Sequence, residues 1–326
     1  MLFFEKCAKI LKVIKMINPF KYSNTNKRYY SYDYYLKNRY NSKVAKIGLD
    51  AGFTCPNRDG KVSYGGCIFC SDGARSNELK DIVDLEEQYQ VLKKIMLNKW
   101  KDLKFIAYLQ AFTNTYASVE KLKEIYEPFI AKEEVVSISI ATRVDALEND
   151  VLDYLEDIAS RIPLTIELGL QTANDVTAKL INRGYTFNYF KEKVNELRKR
   201  NIDVVVHLIN GLPNETKEDN INTILEIRKL DIQGVKIHSL FIEKDTLLEK
   251  LFISKNYKVL TMEEYIDIVI SQLELLPEHI VIQRLTGDPV ASKLAFPLWS
   301  IKKINVLNGI DKEMVRRNTY QGRLYE

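Results

Sequence analysis

Residues 164–171 read LTIELGLQ, and the alternation in this stretch decides the fold. In an extended chain Leu164, Ile166, Leu168 and Leu170 fall on one face, and Thr165, Glu167, Gly169 and Gln171 on the other. A central parallel strand ordinarily has two apolar faces. A carboxylate, an amide and a glycine on the second face therefore predict a polar lumen that binds something. The plain alternative is a buried hydrogen-bond network satisfied within the protein.

Working outward, further apolar runs of strand character fall at 43–51, 105–112, 135–143, 203–211 and 234–242. Helical patterns lie between and after them, at 84–100, 118–131, 148–160, 174–200, 216–231 and 246–255. Six βα units predict an α/β fold with a parallel sheet, either open and doubly wound or curved into a partial barrel. Residues 256–326 leave the alternation and read as a C-terminal α/β extension: a helix at 262–276, a strand at 280–287 and a helix at 302–317. The domains expected are a basic, tyrosine-rich segment (1–42), a core (43–255) and this extension. Polar residues gather where strands end: Gln110, Thr113 and Asn114; Thr142, Arg143 and Asp145; Gln171; Asn210 and Gly211. Ligands of α/β folds lie at the C-terminal ends of parallel strands. There is no P-loop, no GxGxxG after a strand, no HExxH and no serine elbow.

The 326 residues are 46% hydrophobic and 28% charged, an ordinary globular composition that excludes disorder, collagen-like repeats and a disulfide scaffold. No apolar run reaches the ~18 residues of a membrane helix, so no membrane partner is expected. The net charge of +4 is uneven: residues 1–47 hold eleven basic and two acidic residues, for +9, and the remainder carries −5. A basic front end points to an anionic partner such as nucleic acid, or else to a solvated surface. The first fifteen residues read as a weak targeting peptide or a surface helix, or as a stretch outside the native chain if translation starts at Met16.

Three of the four cysteines sit in CPNRDGKVSYGGCIFC (55–70), as Cys55, Cys67 and Cys70. Four readings compete. Structural zinc lacks a fourth ligand nearby, Asp72 aside. A Cys67–Cys70 disulfide leaves the third thiol over and conflicts with a reducing compartment. Three buried thiols would not need Gly65–Gly66. The fourth reading is a [4Fe–4S] cluster on three thiolates with one iron open to a small ligand. Asp59–Gly60 and Gly65–Gly66 let the loop turn tightly, and Phe69 is placed to shield a cluster and meet an adenine edge, which favours this reading.

With these residues in view, the chain resembles the radical SAM superfamily, and within it the YtqA/YhcC-type proteins related to the Elongator catalytic subunit. The segments carrying the resemblance are CPNRDG…GGCIFC (55–70), LQAFTNTYA (109–117), ATRVDAL (141–147), IELGLQTANDVTAKLINRGYT (166–186), HLINGLPNET (207–216), RLTGDP (284–289) and YQG (320–322). They run in order through nearly the whole chain. The first two cysteines are further apart than in most radical SAM proteins, as is usual in this subgroup.

The resemblance implies a partial (β/α)6 barrel and reductive cleavage of S-adenosylmethionine (SAM) to a 5′-deoxyadenosyl radical that takes hydrogen from a substrate. It implies that Cys55, Cys67 and Cys70 ligate the cluster. Gln110, Thr113 and Asn114 would stand near the SAM amino group. Glu167 and Gln171 would hold the ribose, Arg183 would pair with the SAM carboxylate, and Arg143 has a similar standing. Gly211 and Leu212 would lie beneath the adenine with Phe69 nearby. His238 faces the substrate or sits in the core, and Cys7 has no role.

Within the subgroup the implied reaction is on tRNA wobble uridine, converting a 5-carboxymethylaminomethyl side chain to aminomethyl ahead of a separate tRNA methyltransferase. Flavodoxin or ferredoxin would supply electrons, and the location would be cytoplasmic. The strip RYYSYDYYLKNRY (28–40), with six tyrosines among Arg28, Lys37 and Arg39, is suited to stacking on bases and meeting phosphates, or to packing. Lys302, Lys303, Arg316 and Arg317 form a second basic group. Two other classes remain: a radical SAM oxidoreductase on a small molecule or peptide, and a cluster-bearing regulatory protein without turnover.

Overall fold

Seven strands form one parallel sheet in the order β1-β2-β3-β4-β5-β6-β8. The structure, a computed structural model, describes residues 18–70, 79, 82–255 and 257–326. The leader with Cys7, and Asp72, lie outside the described residues. In chain order the elements are α1 (Tyr32–Tyr40), β1 (Lys43–Leu49), α2 (Leu85–Lys99), β2 (Leu103–Leu109), α3 (Val119–Ile130), β3 (Val135–Thr142), α4 (Asn149–Arg161) and β4 (Leu164–Gln171). There follow α5 (Asp175–Leu180), α6 (Phe187–Lys199), β5 (Asp203–Asn210), α7 (Lys217–Ile227), β6 (Gly234–Ser239), β7 (Ile242–Glu243) and α8 (Leu247–Lys255). The chain ends with α9 (Met262–Leu275), β8 (Val281–Arg284), β9 (Leu294–Phe296) and α10 (Lys303–Arg316). The helices start where the sequence supplies caps: Asp84, Ser118, Thr186, Thr216 and Thr261 each accept a backbone N–H of the first turn.

The sheet curls into a half-barrel of α/β type, as expected, with one strand more than the six read from the sequence. The strand of the C-terminal extension does not stand apart: β8 pairs in parallel with β6, from Gly234 opposite Val281. The alternation reaches it through α9. Faces alternate as LTIELGLQ implies: Leu164, Ile166, Leu168 and Leu170 join the core under the helices, together with Ile138, Ile140, Val204, Val206, Val235 and Ile237. Burial of this face supplies the main driving force, at roughly 1.5–3 kcal/mol per large side chain. The other face of the strands lines the lumen.

One helical reading needs correction. Residues 174–200 are two helices, because the chain turns at Asn182 (φ 54°) and Gly184 (φ 93°) between α5 and α6. The segment INRGYT is therefore a loop at the mouth of the barrel.

The tyrosine-rich strip takes the packing alternative. It forms α1, which plugs the barrel at the N-terminal ends of the strands, where Tyr32, Tyr35 and Leu36 meet Ser137, Thr165, Asp203 and Val281. Its rings pack on one another, with Tyr22 stacked on Tyr30 at 5.0 Å and Tyr30 edge-on to Tyr34 and Tyr35 at 6.0 Å. Its charges are answered: Lys37 pairs with Asp33 within the strip and Arg39 with Asp203 of the body, and on either side of the strip Lys27 pairs with Asp311 and Lys43 with Asp33. In the second basic group, Lys303 pairs with Asp288 and Arg316 and Arg317 pair with Glu313.

The two ends of the described chain close on each other. The buried Gln321 side chain accepts from the Tyr30 N–H at 2.9 Å and donates to the Pro277 and Ile280 carbonyls at 2.7 and 2.9 Å. Gln321→Ala leaves the Tyr30 N–H and the Ile280 carbonyl without partners, while the Pro277 carbonyl keeps the Ile280 N–H, and is expected to cost ~3 kcal/mol. Denaturant unfolding checks it; a loss below about 0.5 kcal/mol would contradict the clamp.

Candidate active site at the cysteine loop

The loop after β1 carries Cys55, Cys67 and Cys70 to the C-terminal end of the barrel, each thiol half-buried and none in a disulfide. The loop folds on its own backbone: Arg58 and Asp59 N–H groups donate to the Cys55 carbonyl at 2.8 and 3.2 Å, and the Cys70 N–H to the Cys67 carbonyl at 2.9 Å. It is then fastened to the INRGYT loop. The Ile68 N–H donates to the Ile181 carbonyl at 3.1 Å. Asn57 Nδ2 donates to the Asn182 carbonyl at 2.6 Å, and Asn182 Nδ2 donates to the Gly66 carbonyl at 2.8 Å. Gly184 makes this approach possible: a Cβ there would stand 2.9 Å from Val62, 3.1 Å from Asn57 and 3.2 Å from Arg143.

Arg183 explains why the second loop is rigid, and it corrects the expected pairing with the SAM carboxylate. The side chain is fully buried. Nη1 donates to the Leu170 and Thr172 carbonyls at 2.6 Å each, Nε to the Tyr185 carbonyl at 3.0 Å, and Nη2 to that carbonyl and to Asp175 Oδ1 at 2.7 and 3.2 Å. All five donors of the fork are used within the chain, so none remains for a ligand. Arg143 is better placed. It grips Asp145 through Nε and Nη2 at 2.9 and 2.6 Å and donates to the Arg183 carbonyl at 2.8 Å, while Nη1 has no hydrogen bond among the described residues. Burial pushes the Cys67 thiol up to about 11, against the pull of the Arg143 guanidinium.

The remaining expected residues fall into three places. Thr113 and Asn114 lie beside the cysteine loop, the Thr113 N–H donating to the Thr54 carbonyl at 3.2 Å. Their Oγ1 and Oδ1 atoms are buried without a partner, as is Asn57 Oδ1. Phe69 and Leu212 share a small apolar cluster with Ile68 and Ile181, next to Gly211. Gln110 lies deeper, its amide against Gly48, and the Gln171 amide folds back over Gly169. An open cavity of about 700 Å³ lies against Cys67, Cys70, Gly66 and Asn182.

These residues fit a [4Fe–4S] cluster with SAM. The donors are soft thiols on one tightly folded loop, a guanidinium stands beside them, and buried acceptors at Thr113 and Asn114 await donors. Among the described residues no three His, Cys, Asp or Glu side chains converge as ligands of a single metal ion. A cluster binds one thiolate per iron and does not ask for that convergence.

The family comparison agrees. The description of the Radical SAM superfamily matches residues 55–227, and that of the Radical_SAM C-terminal domain matches 232–316. The chain belongs to the radical SAM superfamily. It is similar to the uncharacterized protein YtqA of Bacillus subtilis (strain 168), 45% identical over 95% of this chain and 96% of that protein. It is also similar to protein YhcC of Escherichia coli (strain K12), 31% identical over 81% of this chain and 85% of that one. Among solved structures, the archaeal Methanocaldococcus infernus Elp3 with an N-terminal deletion shares the fold at a TM-score of 0.65 and 16% identity, covering 86% of this chain and 64% of that one. A shorter match, 24% identical over 52% of this chain and 37% of that protein, is to the tRNA uridine(34) acetyltransferase of Dehalococcoides mccartyi (strain CBDB1). As a radical SAM protein, the chain is an enzyme whose cofactors are a [4Fe–4S] cluster and SAM. Among the described residues no helix is long and apolar enough to cross a membrane.

Below the mouth the radical SAM barrel holds a charge cluster that pattern reading missed. The Glu167 carboxylate, with no exposed surface, is paired by Lys46 and Lys236. Ser139 Oγ and His207 Nε2 each donate to it at 2.8 Å. Glu167 is thus in the lumen, as expected, but the network alternative accounts for its bonds. The signal was present: Lys46, His207 and Lys236 occupy lumen positions of their strands, but a lone lysine in an apolar run reads as an edge. Burial works to raise the Glu167 pKa, yet Lys236, Lys46 and His207 overcome it and hold the carboxyl well below the usual range. Burial pushes Lys236 down to about 7 against the pull of Glu167. His207 falls to about 4, through burial and then Lys236. His238 lies beside His207 with its Nε2 buried and unpartnered.

Two predictions follow the geometry. Gly184→Ala introduces strain of about 1–3 kcal/mol where the two loops meet. Iron bound per chain should drop while circular dichroism of the barrel is kept; unchanged iron would contradict the clamp. Glu167→Gln strands two lysines in the lumen and should cost about 3–5 kcal/mol. In the wild type the folded carboxyl binds protons less readily than the unfolded one, whose value is 4.5. This contribution is therefore complete above about pH 4.5 and declines as pH falls below it. Urea midpoints across pH 3–6 should show that slope in the wild type and less of it in the variant.

Proposed function

We propose that Cys55, Cys67 and Cys70 ligate the cluster and that the enzyme modifies the side chain of a tRNA wobble uridine, converting 5-carboxymethylaminomethyl to aminomethyl. The observation carrying the first part is the cysteine loop fixed by Asn57, Asn182 and Gly184 beside buried acceptors at Thr113 and Asn114. The second part is supported by the similarity to the Dehalococcoides tRNA uridine(34) acetyltransferase, an enzyme of tRNA uridine 34. The bound cofactors supply a 5′-deoxyadenosyl radical that takes hydrogen from the substrate. The protein's part is positional. Arg143 offers Nη1 to the carboxylate of SAM in place of Arg183, and Thr113 and Asn114 accept from its amino group. Phe69, Gly211 and Leu212 make an apolar seat for the adenine, and Gln110 and Gln171 line the lumen side. The barrel and α1 exclude water from the reacting centre. A flavodoxin or ferredoxin serves as reductant, and a tRNA methyltransferase acts on the product.

The 28–40 strip is a weaker candidate for phosphate contacts than its composition suggests, because its tyrosines pack on one another and Lys37 and Arg39 are in ion pairs. Anaerobic protein with dithionite and SAM should yield 5′-deoxyadenosine, and Cys55→Ala should abolish both product and cluster. Deleting the gene should raise 5-carboxymethylaminomethyluridine in tRNA, read by mass spectrometry. An unchanged tRNA profile would turn the reading to a small molecule or peptide. Intact cluster without 5′-deoxyadenosine would turn it to a regulatory protein.

A further inference from the structure

The sheet does not close. Its edge strands β1 and β8 leave a seam, and a cavity of about 410 Å³ opens there, a size typical of ligand pockets. Its wall carries Lys46 from β1, Lys236 from β6, Arg284 from β8 and Lys99 from α2, with the Tyr108 ring between them. Lys46 and Lys236 lie over that ring at 4.0 and 4.6 Å. Among the described residues no carboxylate lines the cavity. Glu167 is shared behind the wall by Lys46 and Lys236. Arg284, half-buried at the inner end of the RLTGDP segment, makes no hydrogen bond or ion pair among the described residues. A half-buried guanidinium without a counter-charge bears part of the cost of a buried one unless something answers it.

We propose that this seam cavity receives an anionic group of the substrate, a carboxylate or a phosphate, gripped by Arg284 with Lys236 and guided in past Lys99. The inference deepens the proposed function and rests on the substrate reaching the lumen. Planar guanidinium suits both oxyanions, since two parallel N–H groups meet two oxygens. The excess of positive charge is felt throughout the lumen: Lys46 and Arg284 help to lower Lys236, and Arg284 with Lys236 helps to lower His238, after burial in both cases. An anion beside Arg284 relieves that repulsion. It also leaves the rest of the substrate directed along the lumen, past Gln110, toward the cysteine end.

The test is calorimetric titration of the cluster-loaded full chain, at constant ionic strength, with inorganic phosphate in one arm and acetate in the other. Saturable binding in at least one arm is expected, and the arm that binds identifies the group. Arg284→Gln should weaken it about tenfold, the scale of one charge-assisted contact. Arg284→Lys should recover part of the loss. Lys99→Gln, at an exposed position that cannot unfold the core, should weaken binding about two- to threefold. Saturation in neither arm, or equal affinity in wild type, Arg284→Gln and Lys99→Gln, overturns the proposal. No tRNA enters this titration, so its failure is distinct from an unchanged wobble-uridine profile.

Discussion

A guanidinium in the protein interior is costly unless its N–H groups find acceptors. Arg183 meets that condition with carbonyls from the end of β4, the turn after it and its own loop, plus the α5 carboxylate. Moving any of these would orphan a buried charge at a cost of several kcal/mol. The INRGYT loop is therefore held against the strand ends, and the cysteine loop inherits that fixity through Asn57, Asn182 and the Ile68–Ile181 backbone bond. Three thiols can wait in a defined arrangement because an arginine that touches none of them is saturated.

The lumen solves the opposite problem. One carboxylate serves two lysines, a histidine and a serine, so the interior is polar but short of negative charge. Such a cluster is a weak source of stability compared with apolar packing of the same volume. Its retention makes sense where the interior has to accommodate something charged, and the helix-facing side of the same strands provides the apolar burial that tolerates it.

Much of this was legible. LTIELGLQ gave its strand without error at either end, because period-two alternation over eight residues has one structural solution. Cysteine spacing with paired glycines marked the tightly folded loop that carries the three thiols. What escaped has a common cause: it depends on contacts between distant segments. Residues 174–200 keep an apolar helical rhythm across INRGYT, and only the αL turns at Asn182 and Gly184 break it. Arg183 has the residue type of a carboxylate ligand, but its partners are backbone oxygens, which no sequence displays. The tyrosine strip offered stacking rings, and its own rings satisfied them. The seventh strand is four residues long, and its place beside β6 follows from pairing alone.

The clamp between Tyr30 and Gln321 bridges 291 positions of the chain. Alongside it the Ile282 N–H bonds the Tyr30 carbonyl, so the first described segment is anchored on β8, the edge strand of the parallel sheet. During synthesis α1 has no partner at the far edge until β8 has emerged. Non-local pairings of this kind are closed late and slowly. Docking of the N-terminal segment therefore belongs to the last steps of folding, although the cysteine loop lies close to it in the chain.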